Sequence, residues 1–308
     1  IFVSINRLGY LMTIQEAYDE FIFSKRAQGL TDKTIDNYHN MLHIFVDYFG
    51  SDRNIDSLTF KDIQQFSIDL RSRSLSKASV STYIRNAKIF LRWVSDEYGL
   101  SFDPKKIKVP KAPKKKAHIY SDEEIQQIFD SIKSPVPWIT ARNCAMVALM
   151  LDCGIRQCEL CGLQRSDVDF FSKCMKVYGK GDKERFVPIG SLALDLLSRY
   201  YTLCPYQTAT VFTNKDGSLL SHNAVKLFTY RLQKKLGFKF SSHGLRHNFA
   251  THYILDNLEE RHTSGVYDLS ILMGHESIET TKRYEHIAHE LIAVKSCNSH
   301  LDKVYKHT

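Results

Sequence analysis

The sequence lacks several features that mark membrane and secreted proteins. No stretch approaches the roughly 18 consecutive apolar residues needed to span a bilayer. The seven cysteines are an odd number, and no signal peptide with a small-residue cleavage site precedes them. They therefore indicate reduced thiols rather than a disulfide framework. There is no internal repeat, and the only low-complexity segment is a short lysine-rich one.

The usual motifs of nucleotide and metal chemistry are also missing. The glycine-rich turn at residues 179–183 is not a P-loop, which needs four residues between its glycines and a Ser or Thr after the lysine. Cys158 and Cys161 form a single CxxC pattern without a second ligand pair, which favours packing over zinc. Asp167 and Asp169 would suit a magnesium-dependent nuclease, but they fit better as the turn before a strand. We predict no metal and no cofactor.

What is present describes a folded, cationic chain. Its 308 residues suffice for two domains, and 43% hydrophobic residues with 12% aromatics allow proper cores. The formal net charge is +8 and the pI about 9.0, so the expected partner is a polyanion. Residues 1–12 are predicted to be an N-terminal extension without an assigned function, because Met12 followed by Thr13 resembles a natural start.

Residues 13–100 are predicted to form a compact helical domain of four helices, since apolar residues recur there at helical spacing. The last helix carries a basic stripe, and more cations precede it. The candidates for contact with a polyanion are Arg73, Lys77, Arg85, Lys88 and Arg92. Taken alone, such a stripe is more often an ordinary solvated face. The cations directly before it, Arg71, Arg73 and Lys77, favour a binding surface.

A composition break follows at residues 101–118, where lysines and prolines replace the apolar periodicity. Its most basic part is Lys114, Lys115 and Lys116. One interpretation is a solubilising hinge between domains. The other, which we favour, is an extended strap that lies along a phosphate backbone, each lysine releasing counterions when it pairs with a phosphate.

Residues 119–290 are predicted to be a mixed α/β domain, which makes the fold class mainly α with a small β-sheet (α+β). The predicted elements are a capped helix from residue 121, a buried helix at 138–153, a short helix beginning at Arg156, a hairpin at 174–189, helices at 192–201 and 223–235, and a strand at 211–213. Residues 256–266 are expected to be a tolerated surface insertion, and residues 291–308 a C-terminal tail.

One stretch, residues 241–286, collects side chains suited to phosphoryl chemistry. Arg246, together with Arg156 from the preceding helix, offers planar guanidinium groups that match phosphate oxygens. Tyr284 offers a hydroxyl that can act as a nucleophile. His243 and His275 are placed to donate hydrogen bonds or to move protons. The pattern predicts attack of a phenol on a phosphodiester, with the arginines stabilising the charge that develops.

Two further residues complete this candidate site. Glu159 shares a helix face with Arg156 and would hold its guanidinium in position, although a surface ion pair at this spacing explains it equally. Lys180, at the hairpin tip, would protonate the departing 5′ oxygen. Lys183 and Arg185 compete for that role or contact the DNA backbone instead.

Five motifs in order resemble the signature of the tyrosine recombinases, the phage-integrase and Xer-type family. They are Gly154-Ile155-Arg156-Gln157-Cys158-Glu159-Leu160, Gly179-Lys180-Gly181-Asp182-Lys183, His243-Gly244-Leu245-Arg246-His247, Gly274-His275, and Tyr284. The resemblance covers the chain from Thr13 to about His289. It implies Tyr284 as the nucleophile and a catalytic set of Arg156, Lys180, His243, Arg246 and His275, supported by Glu159.

The resemblance also implies a helical core-binding domain followed by a catalytic domain, and cleavage and rejoining of DNA through a 3′-phosphotyrosyl intermediate without metal or ATP. Implied partners are double-stranded DNA with a specific recombination site, three further copies in a tetramer that exchanges C-terminal segments, and an accessory directionality factor. The implied setting is a mobile genetic element or chromosome in the bacterial cytoplasm, close to the nucleoid, with no membrane. Two alternatives remain: a type IB-like topoisomerase, and a catalytically silent DNA-binding regulator.

Overall fold

The computed structural model describes residues 12–113, 117–179 and 183–296. Four predicted groups lie wholly or partly outside these ranges: the N-terminal extension, the lysines Lys114, Lys115 and Lys116, the hairpin lysine Lys180, and the end of the C-terminal tail. The chain divides into two compact units, Ile1–Lys115 and Lys116–Thr308. In the described part, no helix is long and apolar enough to cross a lipid bilayer.

Most described residues belong to helices. The helices are α1 (Ile14–Ala27), α2 (Asp32–Phe49), α3 (Phe60–Ser72), α4 (Lys77–Glu97), α5 (Asp122–Ser131), α6 (Pro137–Cys153), α7 (Gln157–Gly162), α8 (Ser191–Leu203), α9 (His222–Leu236), α10 (Ser242–Arg261), α11 (Val266–Met273) and α12 (Glu279–Ser296). The strands are β1 (Val168–Asp169), β2 (Cys174–Tyr178) and β3 (Glu184–Pro188). The predicted class, mainly α with a small sheet, is confirmed.

The first unit is a four-helix domain held together by an aromatic core. Thr13 and Thr59 each begin a helix with a capping box, in which a carboxylate three residues on accepts from the capping backbone. The rings of Phe21, Phe45 and Phe90 are fully or almost fully buried, and Phe90 contacts each of the other two edge to face. Phe21 and Phe45 are among the apolar residues that recur at helical spacing in the sequence, and the predicted helices are confirmed.

The first part of the predicted basic strap belongs to this unit. Pro104–Lys106 forms a 3₁₀ turn, and Ile107 packs into the helical core. The ammonium group of Lys88 donates to the carbonyl oxygens of Lys105 at 2.9 Å and Ile107 at 2.7 Å. Lys88 therefore fastens the chain after α4 to that helix, whereas the other four predicted cations of this domain are exposed.

The second unit is organised around α6, which packs against α8 and α10. As its sequence predicts, α6 is buried along nearly its whole length, including Ala145, Leu149 and Cys153. The helix ends at Gly154, whose φ of +58° lies in the left-handed region. A Cβ at this position would lie 2.1 Å from the ring of Phe249 on α10, so only glycine allows this close approach.

The sheet has three antiparallel strands in the order β1–β2–β3. Met175 pairs with Val187 and Val177 with Arg185 across β2 and β3. Met175, Val177 and Val187 point into the core of the second unit, as the alternation in the sequence predicts.

Two sequence predictions differ from the structure. The predicted strand at residues 211–213 is wrong, because Thr210 and Thr213 form only isolated bridges, although Val211 and Phe212 are fully buried. The expected surface insertion at residues 256–266 is largely the end of α10, which continues to Arg261 before a short turn. Within it Asn257 and Val266 are buried, whereas Asp256 and residues 259–263 are exposed, so the segment is a helix end and turn that lies largely at the surface.

Candidate active site

Arg156 and Arg246 reach the same region from the starts of two helices. Arg156 directly precedes α7, and Arg246 lies in the first turns of α10. The side chain of Arg246 is only 4% exposed, and it donates to the carbonyl oxygen of Gly154 at the end of α6. Gly154 thus accepts a hydrogen bond from Arg246 and lies two residues before Arg156 in the chain, so the turn at Gly154 brings the two arginines together.

Three arginines converge on the C-terminal end of α11. Each donates to one of three successive carbonyl oxygens: Arg185 Nε to Leu272 at 2.7 Å, Arg246 Nη2 to Met273 at 2.7 Å, and Arg156 Nη2 to Gly274 at 2.8 Å. We call these three side chains the arginine cluster. The carbonyl end of a helix carries partial negative charge and unpaired acceptors, so it holds cations favourably. The next residue along the chain is His275.

Glu159 is the carboxylate that two members of the arginine cluster, Arg156 and Arg185, share, and its side chain is only 2% exposed. Its Oε1 accepts from Arg156 Nη1 at 2.8 Å and from Arg185 Nη1 at 2.9 Å. Its Oε2 accepts from the Arg156 backbone at 2.7 Å and from Arg185 Nη2 at 2.8 Å. Burial alone would raise the pKa of Glu159, but the hydrogen bonds and charge of Arg185, then those of Arg156, lower it.

The arginine cluster leaves positive charge in excess. Burial, and then the neighbouring charge of Arg156, lower the pKa of Arg246 to about 10. At neutral pH its guanidinium is therefore still charged, and among the described ion pairs of the three guanidinium groups the one carboxylate is that of Glu159. A surplus of preorganised, partly desolvated cations is an arrangement that binds an anion and stabilises further negative charge on it.

His275 is fixed between the arginine cluster and α12. Its Nε2 lies 3.2 Å from Arg246 Nη2, and its Nδ1 lies 2.7 Å from the hydroxyl of buried Thr281. A guanidinium can only donate, so Nε2 is the acceptor and Nδ1–H donates to Thr281. Burial, then the charges of Arg246 and Arg156, lower the pKa of His275 to about 4. The ring is therefore neutral at physiological pH.

Tyr284 lies on α12 with no exposed surface. Its ring is nearly parallel to that of His275, with centroids 6.4 Å apart. Its hydroxyl oxygen accepts from Arg283 Nη2 at 2.6 Å and lies 2.8 Å from His247 Nδ1. Because Arg283 can only donate, the phenolic O–H is free to donate to His247. The hydroxyl is thus held by two polar groups close to the arginine cluster.

His243 and His247 stand one turn apart on α10, with ring centroids 4.1 Å apart. Burial, then the charge of His243, lower the pKa of His247 to about 3. Burial, then the charges of Arg283 and Arg246, also lower the pKa of His243. These histidines are held in the neutral form, in which one ring nitrogen accepts a hydrogen bond and the other donates.

The lowered histidine pKa values predict acid-sensitive stability. An unfolded histidine titrates near pH 6.5. Between about pH 6.5 and 4 the unfolded chain therefore binds protons that folded His275 and His247 do not, and acid favours unfolding. We expect the free energy of unfolding to fall from pH 7 to pH 5 by on the order of 1 kcal/mol per histidine, after discounting for solvent screening.

Thermal melts at both pH values measure this effect. In the His275→Gln variant the melting temperature should depend less on pH than in the wild type. His222→Gln changes an exposed side chain of the same unit and should keep the wild-type pH dependence. A wild-type melting temperature that rises on acidification would contradict the prediction.

An open cavity of about 640 Å³ lies beside the arginine cluster. Its lining includes Arg156, Lys183, Arg185, His275 and Ser277. Arg246 and Tyr284 are not among the described residues that line it, and both are buried. The cavity is large enough for a phosphate group and its neighbouring sugars. Among the described residues, its walls carry three cationic side chains, those of Arg156, Lys183 and Arg185, and two carboxylates, those of Glu184 and Glu276.

The structure places the other predicted residues as follows. Lys183 is exposed and directly precedes β3, whereas the Arg185 side chain is 8% exposed and paired with Glu159. Four predicted cations of the first unit are exposed: Arg73, Lys77, Arg85 and Arg92. The Nε of Arg92 lies 3.9 Å from Asp96 Oδ2. Lys180 lies outside the described residues. Among described side chains, no group of three or more His, Cys, Asp or Glu is placed to hold a metal ion.

Three residues of the site were not predicted from the sequence as part of its chemistry. His247 and Arg283 contact the phenolic oxygen, and Thr281 contacts His275. The sequence carried a partial signal for His247, because residues four apart on a helix share a face and His243 precedes it by that spacing. No such signal marks Arg283 or Thr281, whose contacts depend on how α12 packs.

Comparison with protein families matches residues 119–290 to the phage integrase family. Residues 18–99 match the phage integrase N-terminal SAM-like domain. Among curated proteins, the chain is 28% identical over 288 residues to tyrosine recombinase XerD of Listeria innocua, covering 89% of this chain and 95% of that protein. It is 29% identical over 280 residues to tyrosine recombinase XerC of Oceanobacillus iheyensis, covering 87% and 90%.

Solved structures share the fold at lower sequence identity. The Tn1549 transposon integrase in complex with a circular intermediate DNA superimposes with a TM-score of 0.73 at 17% identity, covering 89% of this chain and 95% of that one. XerH recombinase bound to a palindromic difH substrate gives a TM-score of 0.69 at 21% identity, covering 91% and 83%.

Proposed function

The chain belongs to the phage integrase family and is a tyrosine recombinase, and from this premise we propose that Tyr284 is the residue with which it breaks and rejoins DNA strands. The observation that carries the proposal is the position of the Tyr284 hydroxyl. It is held by His247 and Arg283, and its ring stacks on His275, which is itself bonded to Arg246. These contacts link the Tyr284 phenol to two neutral imidazoles and, through His275, to Arg246, which supports the proposed role as nucleophile.

In the proposed reaction, the phosphate that is to be cleaved binds against Arg156 and Arg246. The phenolic oxygen forms a bond to phosphorus, the bond from phosphorus to the 5′ oxygen breaks, and a 3′-phosphotyrosyl link results. The phenol gives its proton to His247 Nδ1, to which its O–H already donates. The departing 5′ oxygen gains a proton, for which we propose Lys180 as the donor. The number of phosphate ester bonds is unchanged, so the reverse step can rejoin the strands without ATP.

The arginines act on the charge of the phosphate. A phosphodiester is anionic, and attack by the phenolic oxygen places additional negative charge on its non-bridging oxygens. Arg246 is held by Gly154, Met273 and His275, and Arg156 by Glu159 and Gly274, so neither needs to reorganise as charge develops. Preorganised donors of this kind make the largest single contribution to transition-state stabilisation in many enzymes.

We also propose the assembly that site-specific recombination requires. Two duplexes must be cut and exchanged, which calls for four active sites, and so for a tetramer of this chain on two copies of a specific DNA site. The exposed cations Arg73, Lys77 and Arg85 of the first unit and Lys183 of the second would contact the phosphate backbone. We further propose that the chain acts on a mobile genetic element and that an accessory factor sets the direction of recombination.

A nicked suicide substrate tests the proposed function. Cleavage near the nick releases a short oligonucleotide that diffuses away, so the covalent intermediate cannot religate and accumulates. We expect a protein–DNA adduct that survives denaturation, and strand exchange between two copies of the recognition site. Relaxation of supercoiled DNA with no preferred site would indicate a topoisomerase instead. Site-specific binding with no adduct would indicate a regulator that lacks the chemistry.

A further inference from the structure

Arg185 has the geometry of a residue that acts through its neighbours. It lies on β3, a strand whose side chains alternate between solvent and core. A charged residue on such a strand normally faces solvent, yet the Arg185 side chain is only 8% exposed. Its Nε donates to the carbonyl oxygen of Leu272. Its Nη1 and Nη2 donate in parallel to the two oxygens of Glu159, in the bidentate arrangement that fixes both partners in one plane. The protein thus engages all three guanidinium nitrogens.

The groups that Arg185 holds are the groups that position Arg156. Glu159 accepts from the side chain and the backbone of Arg156, so its orientation decides where that guanidinium lies. Without Arg185, the buried carboxylate would lose two of its four hydrogen bonds. A buried carboxylate that loses partners turns toward the remaining cation or toward water. Either change would displace Arg156.

Arg185 also supports the chain just before His275. Gly274 has a φ of +60°, and a Cβ there would lie 3.1 Å from Arg185 Nη1. The guanidinium of Arg185 therefore lies against the backbone of Gly274, whose carbonyl oxygen is the acceptor for Arg156. The hydrogen bond from Arg185 Nε to the carbonyl oxygen of Leu272, two residues before Gly274, holds the same turn. One side chain thus connects strand β3 to both Arg156 and His275.

We propose that Arg185 is a positioning residue for strand cleavage, which holds Glu159 and the turn at residues 272–274 so that Arg156 and His275 meet the phosphate correctly. This inference rests on the proposed function. It assigns Arg185 to Glu159 and the turn rather than to the DNA backbone, because each of its three guanidinium nitrogens already donates to a protein acceptor. Its neighbour Lys183 is exposed and serves as the matched comparison.

The test measures single-turnover adduct formation by the full chain on two suicide substrates. One has an ordinary phosphodiester at the cleavage position, and the other a methylphosphonate, in which a methyl group replaces a charged oxygen. A neutral phosphorus centre needs less help from guanidinium groups, so a defect in positioning Arg156 should shrink on it. DNA affinity and the melting temperature are measured for every variant.

We expect Arg185→Met to form adduct about 10²-fold more slowly on the phosphodiester, with DNA affinity within about threefold of wild type. On the methylphosphonate its defect should fall below about fivefold. Arg156→Ala should show the same rescue on the methylphosphonate. In the double variant, Arg185→Met should add little to the rate defect of Arg156→Ala, because both changes impair the same function. Lys183→Met should lower affinity without selective rescue.

Three outcomes would overturn the inference: equal defects on both substrates, a loss of affinity as large as the loss of rate, or full additivity with Arg156→Ala. If Arg185→Met is unfolded, Arg185→Lys decides instead, since it keeps the charge opposite Glu159 but loses the planar fork. Its smaller defect must show the same selective rescue. An absent adduct with the wild-type protein would contradict the proposed function, and is thereby distinguished from a failure of this inference.

Discussion

Replacing Tyr284 by phenylalanine is expected to lower covalent adduct formation at least about 10⁴-fold, because no other group in the site would carry the nucleophilic oxygen. The change removes one atom from a fully buried ring, so the packing of α12 is retained. Only the hydrogen bonds to His247 and Arg283 are lost. These contribute about 1 kcal/mol each to the free energy of unfolding.

The measurement is adduct formation on the nicked substrate, together with DNA affinity, which should be within about threefold of wild type. Tyr267→Phe is the matched control, because Tyr267 lies on neighbouring α11 with 69% of its surface exposed. It should cleave at the wild-type rate. An adduct of undiminished yield with Tyr284→Phe would transfer the nucleophile to another residue.

Replacing Arg246 by lysine is expected to slow strand cleavage about 10³-fold. Removing one preorganised donor from an oxyanion site typically costs 10²–10³ in rate, and catalytic arginines 10³–10⁵. Lysine keeps the charge, but its single ammonium cannot hold Gly154, Met273 and a phosphate in the same geometry. The ordinary charge-conserving substitution is therefore a severe one at this buried position.

Single-turnover adduct formation measures this effect, and circular dichroism with thermal melting checks that the variant folds. Arg231→Lys, an exposed position on α9, serves as the control and should cleave within about twofold of wild type. Arg246→Ala should lose more stability than Arg246→Lys, because two carbonyl oxygens lose their donor. Wild-type cleavage by Arg246→Lys would contradict the assigned role.

The sequence predicts most of the fold because its elements are marked locally. Helix α6 is apolar on all sides and can only be buried, and the capping boxes at Thr13, Thr59 and Ser121 fix where three helices begin. Residues 211–213 show the limit of local reasoning. Their apolar side chains are buried as expected, but in the described part of the chain Thr210 and Thr213 form only isolated bridges and no sheet.

The site was less predictable than the fold because its key contacts are made between distant segments. Arg185 follows a lysine-rich hairpin tip, where a cation is normally exposed, and only the position of buried Glu159 explains its inward orientation. Lys88 belongs to a stripe of exposed cations, yet it contacts carbonyl oxygens that follow its own helix. Periodicity identifies the face on which a charge lies but cannot identify its partner.

The way the arginine cluster is assembled has a consequence during protein synthesis. Its bonds to Gly154, Leu272 and Gly274 join residues 92, 87 and 118 positions apart in the chain. A nascent polypeptide that has emerged from the ribosome only as far as α10 has its arginines but not the helix end that gathers them. On the proposed mechanism such an incomplete chain also lacks Tyr284, so it is expected to acquire cleavage activity only when α11 and α12 have been made.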